Sequence, residues 1–149
     1  MGIFSSFDIN ASGMTAQRYR MDIISENVAN ANTTRTEDGT PYRRKVVTFE
    51  QRGEQVGSFS HVFSRASDSY KGQGVRVSKV SEDTWTDMVK AYDPSHPDAD
   101  ENGYVTYPNV NIVTEMTNLI DASRGYEANA TAFEASKAIA QAGIQIGKS

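Results

Sequence analysis

Few side chains in this 149-residue chain stand where they could do acid–base, nucleophilic or metal chemistry. No cysteine is present, so disulfides, thiolate nucleophiles and thiolate metal sites are excluded. The only histidines are His61 and His96, and neither has an evident partner for a nucleophile–base arrangement. Asp98-Ala99-Asp100-Glu101-Asn102-Gly103 copies the first half of a calcium loop, with oxygen ligands at alternate positions and a glycine sixth. The position for the bidentate glutamate is Asn109, however, so the segment reads as a tight polar turn. Gly72-Gln73-Gly74 lacks the third glycine of a dinucleotide fingerprint and precedes a strand rather than a helix. Met1-Gly2-Ile3-Phe4-Ser5-Ser6 fits a permissive myristoylation pattern and carries little weight. The chain is therefore read as a non-enzyme with no cofactor, no metal and no small-molecule substrate.

Regularity lies at the two ends instead. Phe7, Met14, Met21 and Val28 recur at heptad spacing, with Ile24 and Ala31 on the neighbouring seam. Ile112, Leu119, Tyr126, Phe133 and Ala140 form one line at the other end, and Met116, Ser123, Ala130, Lys137 and Ile144 a second. Alternating steps of four and three mark a helix that docks lengthwise on another. One helix over 112–144 would run roughly 50 Å at about 1.5 Å per residue. Asn10, Gln17 and Arg18 interrupt the first seam, and Ser123 and Lys137 the second. A lone hairpin with such seams is marginal, so the termini are expected to order fully only in an assembly.

Three asparagines, Asn27, Asn30 and Asn32, crowd the end of the first helix. Asparagine tolerates the left-handed conformation that closes helices, and termination is the plain reading. The alternative is a buried amide network that fixes register between helices.

The elements between the helices are short. Lys45-Val46-Val47-Thr48-Phe49 reads as a strand, His61-Val62-Phe63 as a second and Val75-Arg76-Val77 as a third. Asp38-Gly39 is a turn signal, Gly53 and Gly57 punctuate the middle, and Pro94, Pro97 and Gly103 mark a loop over 93–104. Asn109 or Asn111 would cap the second helix. The expected fold is α+β: an N-terminal helix within 1–34, a β-rich middle over 35–108 and a C-terminal helix within 109–149.

Composition narrows the partners. A hydrophobic fraction of 38% is low for a compact globule. A net charge of −4 argues against nonspecific binding to nucleic acid or anionic membranes. The one basic run, Arg43-Arg44-Lys45, is expected to be a solvated strand end. No apolar run is long enough to span a bilayer, and no cleavable signal peptide is visible at the N-terminus.

Several motifs in order carry a resemblance. Ser12-Gly13-Met14-Thr15-Ala16-Gln17, Met21-Asp22 and residues 27–33 resemble the N-terminal signature of the flagellar rod and hook axial family. Asn118-Leu119-Ile120-Asp121-Ala122-Ser123-Arg124-Gly125-Tyr126-Glu127-Ala128-Asn129 resembles its C-terminal signature. Asp38-Gly39-Thr40-Pro41-Tyr42-Arg43, Tyr92-Asp93-Pro94, Asn102-Gly103-Tyr104-Val105 and Pro108-Asn109-Val110 are similar to the proximal-rod branch.

The resemblance implies paired terminal helices as an axial coiled-coil layer with a small β part outside. It implies a structural subunit of a hollow periplasmic rod that carries torque from motor to hook. It also implies partners, namely other rod subunits, further copies of the chain and the flagellar type III export apparatus. On that reading Phe7, Met14, Met21, Ile24 and Val28 pack on Ile112, Met116, Leu119, Tyr126, Phe133 and Ile144 within a subunit. Asn27, Asn30, Asn32, Arg124 and Asn129 are then candidates for contacts between subunits. The other readings are another rod or hook axial subunit, or a soluble coiled-coil adaptor. Against the adaptor stands the scarcity of alternating charge at the flanking e and g positions.

Overall fold

The computed structural model describes residues 3–52 and 73–147. The expected strand at His61-Val62-Phe63, Gly53 and Gly57, and the Met1-Gly2 start, lie outside the described residues. Among the described residues two helices, α1 (Ile3–Ala29) and α2 (Ile112–Ile146), enclose a sequence of four strands. These are β1 (Lys45–Gln51), β2 (Val75–Glu82), β3 (Val89–Tyr92) and β4 (Tyr104–Tyr107). The fold is α+β, as expected.

The helices run antiparallel. Phe7 meets Phe133 edge-on with ring centroids 4.9 Å apart, and at the other end Asn27 meets Glu115. Gly13 lies under Asn129 and Gly125 under Gln17, so each helix offers a glycine to the other's amide. A Cβ on Gly13 would stand 2.5 Å from the Asn129 side-chain oxygen. The pairs bring the backbones close where larger residues would hold them apart. One of the amides is incompletely used, since Gln17 Oε1 is buried with no hydrogen-bond partner.

α2 starts as its sequence directs. Asn111 caps it, accepting the Thr114 N–H at 3.1 Å. α1 ends differently from the expected left-handed closure. Asn30 Nδ2 turns back to the Glu26 carbonyl at 2.9 Å, and among the described residues no non-glycine residue has positive φ. A side chain that satisfies a last-turn carbonyl removes the need for an αL residue.

The strands form two separate ribbons rather than one sheet. β1 and β2 pair antiparallel from Lys45↔Glu82 to Gln51↔Val75, with a register shift between Thr48 and Phe49. β3 and β4 pair from Val89↔Tyr107 to Tyr92↔Tyr104. This second ribbon was not expected; the loop expected over 93–104 is its connection, apart from Tyr104, which opens β4. Its connection holds because Asp100 Oδ1 accepts the N–H groups of Asn102 and Tyr104 at 2.9 and 2.8 Å. Gly103 there has φ +79°, a conformation that side chains disfavour.

The interior is small and mixed. Ala16, Ile24, Ala31, Tyr42, Val105 and Ala122 are buried, but so are Ser12, Asn27, Asp83, Asn109 and Glu115. Large apolar side chains meanwhile stay exposed along α2, including Val113, Met116 and Ile120. A chain that buries a carboxylate and exposes isoleucine has placed its polar groups with purpose and left apolar surface for others.

Candidate functional site

Among the described residues, the densest cluster of polar chemistry sits where the end of α1, the start of β1, the end of β2 and the start of α2 converge. Glu115, in the first turn of α2, is fully buried. A carboxylate there is favoured by the helix N-terminus but still needs partners once out of water. Arg44 supplies them through Nε and Nη2, both 2.8 Å from Oε1. Asn27 Nδ2 donates to Oε2 at 2.9 Å.

Asn27, 0% exposed, is the hub. Its Nδ2 also donates to the Lys45 carbonyl at 2.9 Å, while its Oδ1 accepts the Lys45 N–H at 2.8 Å and the Tyr42 hydroxyl at 2.9 Å. The carboxamide thus bonds the β1 backbone as a neighbouring strand would, and joins it to both helices. Only asparagine or glutamine presents donors and acceptors in one plane in this way. Burial, with Glu26 and Glu115 nearby, pushes the Tyr42 phenol up to about 12, so it stays a donor at ordinary pH.

Asn109 does the same work one step outward. Its Oδ1 accepts the Arg44 N–H at 2.9 Å, and its Nδ2 donates to the carbonyls of Asp83 and Thr86 at 2.9 and 3.1 Å. Asp83 organises the following turn by accepting the N–H groups of Trp85 and Thr86, each at 3.1 Å, and the Thr86 hydroxyl at 2.9 Å. Burial works against its charge. The hydrogen bonds from Thr86 and Trp85, with Arg44 3.5 Å away, outweigh that and hold the carboxyl below the usual carboxylate range. Lys45 and Glu26 close the rim as an ion pair.

Chemically the junction is spent on itself. Each polar group is met by another polar group of the same chain, which suits a clamp and not a substrate site. The acidic turn behaves likewise, for Asp98 accepts the Thr34 hydroxyl at 2.8 Å and pairs with Arg35 at 3.6 Å. Among the described residues no group of three or more histidines and carboxylates could hold a metal ion. Nor is any helix there long and apolar enough to cross a membrane.

The predicted helix-pairing residues divide into two sets. Ile24 is buried, while Phe7, Met14, Met21, Val28, Leu119 and Phe133 are half-buried on the paired helices. Tyr126 stands at the edge with 36% exposed. Ile112, Met116 and Ile144 turn outward, at 44%, 55% and 62% exposed. The line that faces α1 beside Leu119 and Phe133 runs one residue earlier than expected, through Glu115, Ala122 and Asn129. Arg44 and Asn27 draw Glu115 inward, and Gly13 makes room for Asn129.

Of the predicted subunit contacts Asn27 needs correction, because it is enclosed in the junction at 0% exposed. Asn129 is half-buried and lies over Gly13. Asn30 is half-buried and accepts the Thr33 hydroxyl at 3.2 Å, whereas Asn32 and Arg124 are exposed. The basic run is not a solvated strand end either, because Arg44 neutralises Glu115. Sequence reading missed Glu115, Arg44, Asp83 and Asn109. The available signal was a glutamate seven residues before Ala122 and fourteen before Asn129, a charge on a seam that must find a partner.

A long antiparallel helix pair, braced at one end to small ribbons by an internally satisfied polar junction, defines a structural subunit built for assembly. Its relatives say which. Residues 7–35 match the family model for flagella basal body rod protein, and residues 101–146 match that for the C-terminal part of the flagellar basal body rod FlgEFG proteins. The chain is 44% identical to the flagellar basal-body rod protein FlgC of Borreliella burgdorferi, over 98% of each chain. It is 43% identical to FlgC of Bacillus subtilis, over 99% of this chain and all of that one. FlgC of Escherichia coli is 34% identical over 99% of this chain. The chain belongs to the flagellar basal-body rod proteins of the FlgC type, a structural and non-enzymatic family.

Proposed function

We propose that this chain is a proximal-rod subunit whose helix pair forms the axial layer of a hollow periplasmic drive shaft, with the ribbons outside it. Other rod subunits and further copies of the chain are its neighbours, and the flagellar type III export apparatus delivers it. The observation that carries this reading is the buried junction of Asn27, Arg44 and Glu115. A rod subunit must pass a twisting load from its outer part to its axial part without a hinge between them. Charge-assisted hydrogen bonds that tie β1 to both helices at one point supply that stiffness, because displacing any member exposes a buried polar group.

The test is complementation of a swimming bacterium whose own rod subunit has been deleted. The wild-type chain is expected in the basal-body fraction, with swimming restored. Leu119→Asp places a charge on the half-buried face of α2. It is expected to abolish rod incorporation and motility at normal expression. Normal swimming by that variant would refute the packing role assigned to the helix pair.

A further inference from the structure

The two ribbons differ in charge. Residues 83–104 carry six carboxylates and one cation, Lys90. Residues 43–52 and 75–82 together carry six cations and two carboxylates, Glu50 and Glu82, with Arg44 and Lys45 already paired to Glu115 and Glu26 and Arg76 to Glu50. The first set surrounds the β3–β4 ribbon and the second makes up the β1–β2 ribbon.

Each part holds a matching apolar feature. On the acidic part stands Trp85, the sole tryptophan, 83% exposed. Its backbone N–H is fixed on Asp83 Oδ1 at 3.1 Å, so the indole is presented from a rigid turn next to exposed Glu82 and Asp87. On the basic part a cavity of about 210 Å³ lies between α1, β1 and α2. Ile23, Val46, Val47 and Phe49 give it apolar walls, Arg20 stands among them as a cation, and its polar side is the junction itself, where Lys45 is paired with Glu26 and Arg44 with Glu115. A cavity of roughly 150 Å³ holds benzene, so this one has room for a fused two-ring side chain.

We propose that Trp85 of one copy seats in this cavity of a second copy, as the acidic β3–β4 end lies on the basic β1–β2 ribbon. The inference rests on the rod reading and names a contact within it. Opposite charges guide the approach and exclude the reversed orientation, like charges being costly when apposed. The indole supplies the anchor, as buried tryptophans do at interfaces, and the Arg20 guanidinium in the cavity wall can add attraction to its face. Knob and socket are different surfaces, so the contact can repeat head-to-tail from copy to copy, as a rod requires.

The absence of native cysteine makes the test clean. Thr84→Cys keeps Trp85 and marks the knob, while Asn118→Cys marks the cavity wall. Both variants are produced together in cells that build rods, and mild oxidant is added. A covalent pair joining position 84 of one copy to position 118 of another is expected, with neither variant alone giving it. Swimming cells that yield no such pair overturn the docking and leave the rod reading standing, whereas a wild-type chain that restores no rod counts against the rod reading itself.

Should a cysteine itself stop assembly, Trp85 reads the contact in the purified wild-type protein. Its emission is expected to move to the blue as concentration rises, and to return in about 1 M salt, where screening acts within about 3 Å. An indole that keeps water-exposed emission at every concentration overturns the proposal.

Discussion

Replacing Asn27 with alanine removes one small side chain and strands four groups. The Lys45 N–H and carbonyl lose their partner, as do the Tyr42 hydroxyl and Glu115 Oε2. The hydroxyl and the carboxylate are enclosed, Glu115 being 0% exposed and Tyr42 7%, while the two Lys45 groups are part-buried. An unsatisfied buried group costs about 1–3 kcal/mol, and more when charged. The vacated space of the carboxamide is close to that of one water, which can restore part of the bonding. The net loss then comes to about 3–5 kcal/mol, a large share of the 5–15 kcal/mol typical of a domain.

Urea unfolding of the purified chain measures it. With a slope of about 2 kcal/mol per molar, the midpoint should fall by roughly 1.5–2.5 M. Asn30→Ala is the control, because Asn30 is half-buried and serves mainly its own helix end. It should cost about 1 kcal/mol, as loss of a terminal cap does. Asn27→Asp keeps the shape but turns an oxygen toward both the Lys45 carbonyl and Glu115, so it should lose at least as much as alanine. A loss below about 1 kcal/mol for Asn27→Ala would refute the claim that the junction holds the ribbons to the helices.

Two further perturbations test neighbouring parts of the argument. The Tyr42 phenol is raised from 10.0 to about 12 by burial and by Glu26 and Glu115, so the folded state holds its proton more tightly than the unfolded state does. That stability is fully present below pH 10 and is lost as pH rises toward 12; Tyr42→Phe should flatten this part of an alkaline unfolding curve, and an unchanged slope would contradict the assignment. Gly13→Ala forces the Asn129 side chain to move, because the new Cβ meets its oxygen at 2.5 Å. The cost should be about 1–3 kcal/mol, and adding Asn129→Ala should recover most of it. Thermal unfolding of the double-mutant cycle checks the coupling, and simple additivity would count against the close glycine–amide pairing.

The sequence made the helices legible because period and length both spoke for them. It also made one of the two α2 seam lines legible, through Leu119 and Phe133, since large apolar residues at heptad spacing announce their face. The other line was hidden because its members are a glutamate, an alanine and an asparagine. Apolar periodicity favours Met116 over Glu115, and only the approach of Arg44, seventy-one positions away, makes the glutamate the inward residue. The ribbon of β3 and β4 was obscured by the prolines and glycine of its connection, which read as loop throughout. Asn27 carries the signal of an amide that can fix register, but its partners are far off in sequence, so pattern alone points it at other subunits. Nothing local distinguishes an asparagine that ends a helix from one that joins three elements.

That distance bears on how such a subunit can work. Asn27 and Glu115 are separated by 88 positions and Arg44 and Glu115 by 71. No segment of the chain can satisfy the junction alone, because α1 brings the amide, the residue just before β1 the guanidinium and α2 the carboxylate. A partly formed junction is worse than none, for each member then sits desolvated without its partner. Contacts of such long sequence separation form only after both helices and the first strand have been brought together. For a subunit proposed to be delivered by the export apparatus and to carry a twisting load once in place, this is the useful arrangement. An apolar junction of equal size could collapse on any neighbour, whereas this one closes only when both helices and the first strand have met in register.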